Sequence, residues 1–333
     1  IAEQIKNSKE NTFEEIPEIA EAESYSISSA QKRLYLLDQL TGPGITYNIP
    51  LVIKLKVKPD NERLQRALDQ LVEHEEILRT SFHIVNGEPI QKISSDARIV
   101  LEHSEVKTAD SQYIQDEYNT FVQPFDLSKS PLMRAKILNT PSDSYLFLDI
   151  HHILCDAGSM PVMLYKIQEL YEGRELLTPR VQYKDFSAWQ NARDITEQAA
   201  YWKKEFSGDI PVLNLIMDYP RPHKQSFRGA NFRTQVEEKT SIKVKELAKK
   251  YGATEFMVLL STFFSMLGKY SRQEEIIVGT PISGRNHTDT QNMLGMFVNT
   301  LAIKGNVCAD DTVEDVLLRT KEKCLQAYDN KDY

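Results

Sequence analysis

The stretch His151-His-Ile-Leu-Cys-Asp-Ala-Gly-Ser159 carries the strongest structural signal in the chain. The residues before it, Tyr145-Leu-Phe-Leu-Asp-Ile150, are mostly aromatic and aliphatic, which is typical of a buried strand. After it, apolar residues recur at helical spacing from Met160 to Tyr171. The sequence therefore predicts a strand, a turn at the paired histidines and then a helix, an arrangement in which catalytic sites are often built.

The two histidines are predicted to differ in role, because neighbouring side chains of a strand point to opposite faces. They cannot both bind one metal ion while the strand persists, so we predict no metal site. We expect one to face a cleft and the other to be structural, and the alternative of two hydrogen-bonded core histidines stays open. The turn at residues 156–159 favours a site, since backbone N–H groups at a helix start can hold an oxyanion.

Cys155 adjoins the histidines, which raises the question of a cysteine nucleophile. Catalytic cysteine and histidine are usually distant in sequence and brought together by the fold, so we predict that Cys155 packs as a small apolar residue. Cys155, Cys308 and Cys324 lack the paired spacing of zinc sites or disulfides, which is typical of a reducing compartment. The sequence therefore predicts a cytoplasmic protein.

The composition of the 333 residues, with 41% hydrophobic and 26% charged, is ordinary for a globular protein. A net charge of −8 argues against a nucleic-acid partner. The longest apolar stretch, residues 256–267, is too short to span a bilayer and predicts a buried helix. With no signal-peptide pattern at the start, we predict no membrane partner.

Strand and helix patterns alternate along the chain, which predicts an α/β fold. Residues 1–24 are acidic and are interpreted as a linker, with the end of a helix at 1–6, and folded structure is expected from about Tyr25. The proline-containing segment 210–222 predicts a boundary between two lobes, 25–209 and 210–333. The other predicted elements are helices over 30–40 (Leu34, Leu37 and Leu40 on one face), after Asp60 (buried stripe Leu64, Ala67, Leu68, Leu71, Val72), over 243–251, over 254–269 and from Asp311, and strands over 49–57, 275–280 and 297–303.

From about Tyr25 to Tyr333, a series of motifs in a fixed order resembles the condensation domains of nonribosomal peptide synthetases. A single such motif would be a weak signal, whereas the ordered series is specific. The motifs are residues 28–35, 74–82, 124–127, 131–134, the His-His stretch 151–159, 183–189, 278–285 and 293–300.

The resemblance implies two chloramphenicol-acetyltransferase-like lobes that form a V-shaped pseudo-dimer, with a tunnel between them and the second lobe incomplete in this chain. Upstream and downstream peptidyl carrier proteins would deliver substrates as phosphopantetheine thioesters, and the acceptor amine would attack the donor thioester to form an amide. Phosphopantetheine would belong to the carriers, and the domain itself would bind no cofactor. An adenylation domain is expected in the same polypeptide, and residues 1–24 are expected to follow a carrier domain.

The resemblance also implies roles for individual residues. His152, the second histidine of the motif, would face the tunnel and either accept a proton from the amine or orient it by a hydrogen bond. His151, Asp156 and Arg285 would be supporting residues, with an Asp156–Arg285 ion pair across the lobes. Backbone or side-chain groups of the next three residues would hold the oxyanion or position the substrate; these are Ala157, Gly158 and Ser159.

The turn departs from the family pattern, which usually has glycine at 157 and a bulky residue at 158. If the turn requires positive φ at Ala157, the methyl group adds strain of about 1 kcal/mol. If glycine leaves room for the substrate carbonyl, the methyl group narrows that room. Two other functions are weighed, an epimerisation domain and a silent carrier-recruiting domain. The retained histidines, Asp156 and Ser159 favour an active domain over a silent one, and the ordered motifs favour condensation over epimerisation, which shares the His-His motif.

Overall fold

The computed structural model describes residues 15–108, 110–220, 222 and 229–333. The described chain divides into two compact units. The first contains the residues up to Arg193 together with 285–297, and the second contains the described residues of 194–284 and 298–333. Each unit combines helices with strands, so the α/β prediction is confirmed.

The first unit has two sheets, with strand orders β2-β7-β6-β5 and β1-β4-β3. Within them only β5 and β6 pair in parallel. Strand β7 lies between β2 and β6, which explains why its residues are almost all buried. The elements are β1 (Tyr25–Ser26), α1 (Ser29–Thr41), β2 (Asn48–Leu55), α2 (Asn61–His74), β3 (Thr80–Val85), β4 (Glu88–Ile93), β5 (Leu101–Glu105), α3 (Ser111–Phe121), β6 (Met133–Asn139), β7 (Ser144–His151), α4 (Ser159–Tyr171) and α5 (Tyr183–Ala192).

The predicted strand, turn and helix around the histidines are confirmed. Strand β7 ends at His151, and α4 begins at Ser159. The helix predicted after Asp60 is also confirmed, because the Asp60 carboxylate accepts a hydrogen bond from the Arg63 N–H at 3.0 Å and so caps α2. All five residues of its predicted stripe are buried, and α2 packs against α4.

Helix α1 confirms the helix predicted over 30–40, but a different face is buried. Of the predicted stripe only Leu34 is buried, and Leu40 is 83% exposed. The inward face includes Gln31, whose side-chain amide donates to the Ile153 carbonyl at 3.2 Å. Because an apolar count cannot anticipate a buried polar anchor, the sequence pattern selected the wrong face.

The second unit has a two-stranded antiparallel sheet with helices packed against it. Its core includes Phe264, Ile276, Leu301 and Leu317. The elements are α6 (Thr196–Glu205), α7 (Glu238–Lys250), α8 (Glu255–Ser271), β8 (Glu275–Ile282), β9 (Asn299–Asn306) and α9 (Val313–Asp329).

Two predictions for the second unit need correction. Helix α9 is capped by Thr312, not by Asp311, whose carboxylate instead accepts a hydrogen bond from the Cys308 N–H. Helix α8 covers the stretch predicted to be buried, but only one of its faces is buried. The opposite face exposes Phe256, Leu259, Phe263, Met266 and Tyr270. Among the described residues, no helix is both long and apolar enough to cross a bilayer.

The segment 15–24 has no helix or strand, yet it packs against the rest of the first unit. Ile16 is 0% exposed, and its carbonyl accepts a hydrogen bond from Arg180 at 3.0 Å. The Ile19 N–H donates to the Asp185 carboxylate at 2.9 Å. The sequence predicted that folded structure begins at about Tyr25. Packed structure in fact begins earlier, at least from Ile16. The helix end predicted at 1–6 lies outside the described residues.

Replacing Ile16 by alanine should lower the free energy of unfolding by about 2–4 kcal/mol, because it empties a fully buried site. The matched control is Ile45→Ala, since Ile45 is half exposed in the same unit and its replacement should cost little. Urea denaturation of the two variants measures the difference. If Ile16→Ala were as stable as Ile45→Ala, residues 15–24 would be a linker that does not stabilise the fold, as the sequence suggested.

Candidate active site

His151 is the last residue of β7 and is almost completely buried. Its ring lies 6.2 Å from the Phe125 ring, edge to face, and 6.4 Å from the Tyr47 ring. The Ile153 N–H donates to its Nδ1 at 3.2 Å, so this nitrogen acts as an acceptor. Burial, with a smaller effect of the neighbouring His152, lowers the pKa of His151 to about 4. His151 is therefore a neutral, packed residue.

His152 follows directly, in the turn, and is half-buried. Its backbone N–H donates to the Tyr47 carbonyl at 2.7 Å, which fixes the main chain where the strand ends. Its Nδ1 is buried and has no hydrogen-bond partner among the described residues. The imidazole therefore lacks the orienting carboxylate that a Ser-His-Asp triad provides. The two histidines therefore lie in different surroundings, His151 in the strand and His152 in the turn that follows it.

The Asp156 carboxylate is buried and organises the turn. It accepts hydrogen bonds from Arg285 Nη2 at 3.0 Å, from the Ser159 N–H at 2.8 Å and from the Phe297 N–H at 3.1 Å. The expected Asp156–Arg285 ion pair is therefore present. It was expected between lobes, but the segment 285–297 belongs to the same compact unit as Asp156, so the pair lies within one unit.

Arg285 holds its own segment as well. Its Nη1 donates to the carbonyls of Thr290 and Met293, and its guanidinium lies 4.2 Å from the centre of the Phe297 ring. A single side chain thus joins the histidine turn to the loop 285–297. A buried carboxylate with this many donors is well compensated for its loss of hydration.

Ser159 was expected to contact an oxyanion or substrate, but the structure places it differently. The side chain is completely buried. Its Oγ lies 2.8 Å from Asp156 Oδ1, 2.6 Å from Arg285 Nη2, and 2.8 and 3.1 Å from the carbonyl and N–H of Gly295. Its own N–H donates to Asp156. The polar groups of Ser159 are thus used within the protein.

Ala157 and Gly158 are exposed at the tip of the turn. Ala157 is not among the described residues with positive φ, so its methyl group adds no strain of that kind. Gly158 has a helical φ of −74°. A Cβ at Gly158 would lie 2.9 Å from Arg285 Nε. A side chain at 158 would therefore have to displace the Arg285 guanidinium, whereas the backbone conformation at 158 suits any residue.

Cys155 is buried, and burial raises the pKa of its thiol to about 12. A thiol with so high a pKa is a poor nucleophile near neutral pH. Its Sγ lies 3.3 Å from the Met160 sulfur, so the prediction that Cys155 packs as a small apolar residue is confirmed.

Sequence reasoning missed a second ion pair near the histidines, between the partly buried Arg134 and the buried Asp149, with 3.0 Å between Arg134 Nη1 and Asp149 Oδ2. A signal was available, because Asp149 is a lone charged residue in an apolar strand and Arg134 ends one of the family motifs. The sequence did not indicate that the two residues pair.

Residues 21–333 match a family model described as Condensation domain. The chain belongs to this family. Over its whole length the domain is 42% identical to part of gramicidin S synthase 2 of Aneurinibacillus migulanus and 40% identical to part of bacitracin synthase 3 of Bacillus licheniformis. These matches cover 8% and 5% of the two synthases, so the chain spans less than a tenth of either relative. Condensation domains of such synthetases catalyse peptide-bond formation, an acyltransferase reaction.

Solved structures share the fold. The X-domain from teicoplanin biosynthesis matches with a TM-score of 0.87 at 21% identity, over 96% of this chain and 74% of that chain. A holo four-domain nonribosomal peptide synthetase bound to AMP and glycine matches with a TM-score of 0.84 at 24% identity, over 97% of this chain and 25% of that chain. At identities this low, the likeness supports a common fold and nothing more.

Separate substitutions at the two small residues of the turn should change the free energy of unfolding by different amounts. Gly158→Ala should lower the free energy of unfolding by about 1–3 kcal/mol, because the new methyl group displaces a guanidinium held by several acceptors. Ala157→Gly should change it by no more than about 1 kcal/mol, through the added freedom of the unfolded chain. Urea denaturation of both variants tests this. A Gly158→Ala variant as stable as the wild type would contradict the assigned role of Gly158.

The depressed pKa of His151 predicts a pH-dependent stability. Between its ordinary pKa of about 6.5 and its folded value of about 4, the unfolded chain binds a proton that the folded chain does not. The free energy of unfolding is therefore unaffected by protonation of His151 above about pH 6.5. As the pH falls toward the folded pKa, it decreases by about 3 kcal/mol in total. Unfolding of wild type and His151→Gln at about pH 7 and pH 4.5 should show a weaker pH dependence in the variant. The same dependence in both proteins would rule this out.

Proposed function

We propose that this condensation domain joins a donor acyl or peptidyl thioester to an acceptor aminoacyl thioester, both tethered to carrier proteins, and that His152 acts on the acceptor amine. The observation that carries the proposal is the unpaired, half-buried imidazole of His152, in a turn held by the buried Asp156 carboxylate. This combines a fixed main chain with an imidazole whose buried Nδ1 has no hydrogen-bond partner among the described residues.

The reaction makes a modest demand on such a group. The amine nitrogen bonds to the thioester carbonyl carbon, the carbon–sulfur bond breaks, and the proton lost by the amine goes by way of His152 to the leaving thiolate. An α-amino group has a pKa of about 8, so a weak base suffices to remove its proton. Because thioesters are activated, holding two tethered substrates together supplies much of the acceleration.

The remaining residues of the site are proposed to act through His152. His151 packs against Tyr47 and Phe125 at the end of the strand, and Asp156 with Arg285 fixes the turn. The exposed backbone at Ala157 and Gly158 is the part of the turn open to a substrate oxygen. Ser159, first expected to take part in that contact, is instead assigned to the support of the turn, because its polar groups are bonded within the protein.

The larger setting is also a proposal. We propose lobes at 25–209 and 210–333, although the compact units assign 194–209 to the second and 285–297 to the first. We propose that the lobes form a V-shaped pseudo-dimer, that phosphopantetheine arms of upstream and downstream carriers enter it, and that an adenylation domain belongs to the same polypeptide. Membership of the condensation family supports these points.

A silent domain that recruits carriers or tailoring enzymes is the second candidate, and a structural neighbour that binds another protein favours considering it. The X-domain of teicoplanin biosynthesis has been solved also in complex with OxyB, and it shares this fold. The intact histidines and the ordered turn favour a catalytic domain here. An epimerisation domain is less favoured, because no glutamate can be assigned as its second proton-transfer group.

Replacing His152 by alanine should lower the rate of dipeptide formation by about 100-fold or more, because general acid–base groups contribute about that much. The assay loads a donor and an acceptor carrier and follows product by mass spectrometry. The matched control is His103→Ala, since His103 is exposed on β5 in the same unit and should leave the rate unchanged.

Three results would contradict the proposal. Equal rates for wild type and His152→Ala would remove His152 from the chemistry. No product from either protein would favour the recruiting role. An inverted α-carbon on a single carrier would favour epimerisation.

A further inference from the structure

The strand that carries the histidines has a polar face. Asp149 and His151 lie two residues apart on β7 and therefore point to the same side of the sheet. Arg134 on β6 lies opposite Asp149, and Asn48 on β2 lies opposite His151. Four polar side chains thus meet next to the histidine turn, on strands whose other residues are largely apolar.

Asp149 is the buried centre of this group, with 0% exposure. Its Oδ2 accepts hydrogen bonds from Arg134 Nη1 at 3.0 Å and from Asn48 Nδ2 at 2.8 Å. The pair joins β6 to β7, and Asn48 adds β2. The carboxylate therefore fixes two side chains that both reach beyond the sheet.

Both side chains hold the turn that covers this face. Arg134 donates from Nη1 to the Gln123 carbonyl at 2.7 Å and from Nη2 to the Pro124 carbonyl at 2.8 Å. Asn48 donates to the Gln123 carbonyl at 2.9 Å. The residues 123–125 are thus attached to the sheet by three hydrogen bonds from side chains that Asp149 itself positions.

Phe125 is the side chain that this turn presents to the histidines. The Arg134 guanidinium lies 3.7 Å from the centre of its ring, and the His151 ring lies 6.2 Å away, edge to face. Phe125 is buried and also lines a cavity of about 590 Å³ shared with Tyr35 and Phe82. It therefore forms a wall between that cavity and His151.

We propose that Arg134 and Asp149 are positioning residues for the condensation reaction, which set the location of the histidine turn through Phe125. The contacts run from Asp149 to Arg134, from Arg134 to Phe125 and from Phe125 to His151, whose neighbour is His152. The ring of His152 has no orienting hydrogen bond among the described residues, so its location depends on the main chain and on packing.

This inference rests on the proposed function, because it assigns a role relative to His152. It differs from a purely structural role in one measurable respect. A pair that only holds the sheet together changes the fraction of folded protein. A pair that positions His152 changes the rate per folded molecule, because a displacement of about 1 Å in a catalytic group can lower a rate by about 100-fold.

The test measures amide formation with loaded donor and acceptor carriers, corrected for the folded fraction by circular dichroism. Arg134→Met should lower the rate at saturating carriers by about tenfold or more and leave the KM for each carrier unchanged. Arg134→Lys, which keeps the charge but loses the two-pronged geometry, should recover part of that loss. Should Arg134→Met fail to fold, the isosteric variant Asp149→Asn serves the same purpose.

A double-mutant comparison asks whether Arg134 acts through Phe125. Phe125→Ala should lower the rate, and adding Arg134→Met to it should lower the rate little further, because both changes break the same series of contacts. The matched control is Arg98→Met, since Arg98 also forms an Arg–Asp pair, with Asp69, but on the surface of the same unit. This control should match the wild type.

The outcomes separate the inference from the proposed function. If wild type makes product, His152→Ala does not, and the Arg134 and Asp149 variants stay within about twofold of wild type, the positioning role is overturned and the function stands. A rate loss that only mirrors the loss of folded protein also overturns it. No product from wild type overturns both.

Discussion

The geometry around the histidines depends on one buried carboxylate. Asp156 receives the N–H of Ser159, the guanidinium of Arg285 and the N–H of Phe297. These donors come from the start of α4 and from a segment more than a hundred residues later in sequence. Breaking one partner of such a pair costs about 3–5 kcal/mol, because the other charge stays buried without compensation. The carboxylate therefore determines where the turn ends, where α4 begins and where the loop 285–297 lies.

The two histidines lie in sequence between Asp149, which pairs with Arg134, and Asp156, which pairs with Arg285, and their physical properties differ. His151 is buried and neutral and contacts two aromatic rings. Its role is therefore to pack in the core, with one hydrogen bond to its Nδ1. His152 is half-buried with an unpaired Nδ1. A neutral, packed histidine next to a half-buried one suits the proposed reaction, in which the thioester is already activated and the catalyst mainly orients an amine.

Local features of the sequence predicted much of this fold, because they depend on few neighbours. The strand before the histidines, the helix after them and α2 with its Asp60 cap were predictable from periodicity and capping chemistry. The buried face of α1 was not, since Gln31 is turned inward by the Ile153 carbonyl, which is distant in sequence. Nor was the position of Ile16, whose carbonyl accepts a hydrogen bond from Arg180, a residue far along the chain.

The sequence by itself determined the family and the order of strand, turn and helix around the histidines, and the family resemblance implied the partner of Asp156. It did so because motifs and periodicity are written in neighbouring residues. The tertiary structure decided that Ser159 is bonded within the protein, that Gly158 makes room for Arg285, and that Arg134 pairs with Asp149 beneath Phe125. These facts depend on distances between residues far apart in the chain. Such distances arise only when the sheet and the loop 285–297 come together.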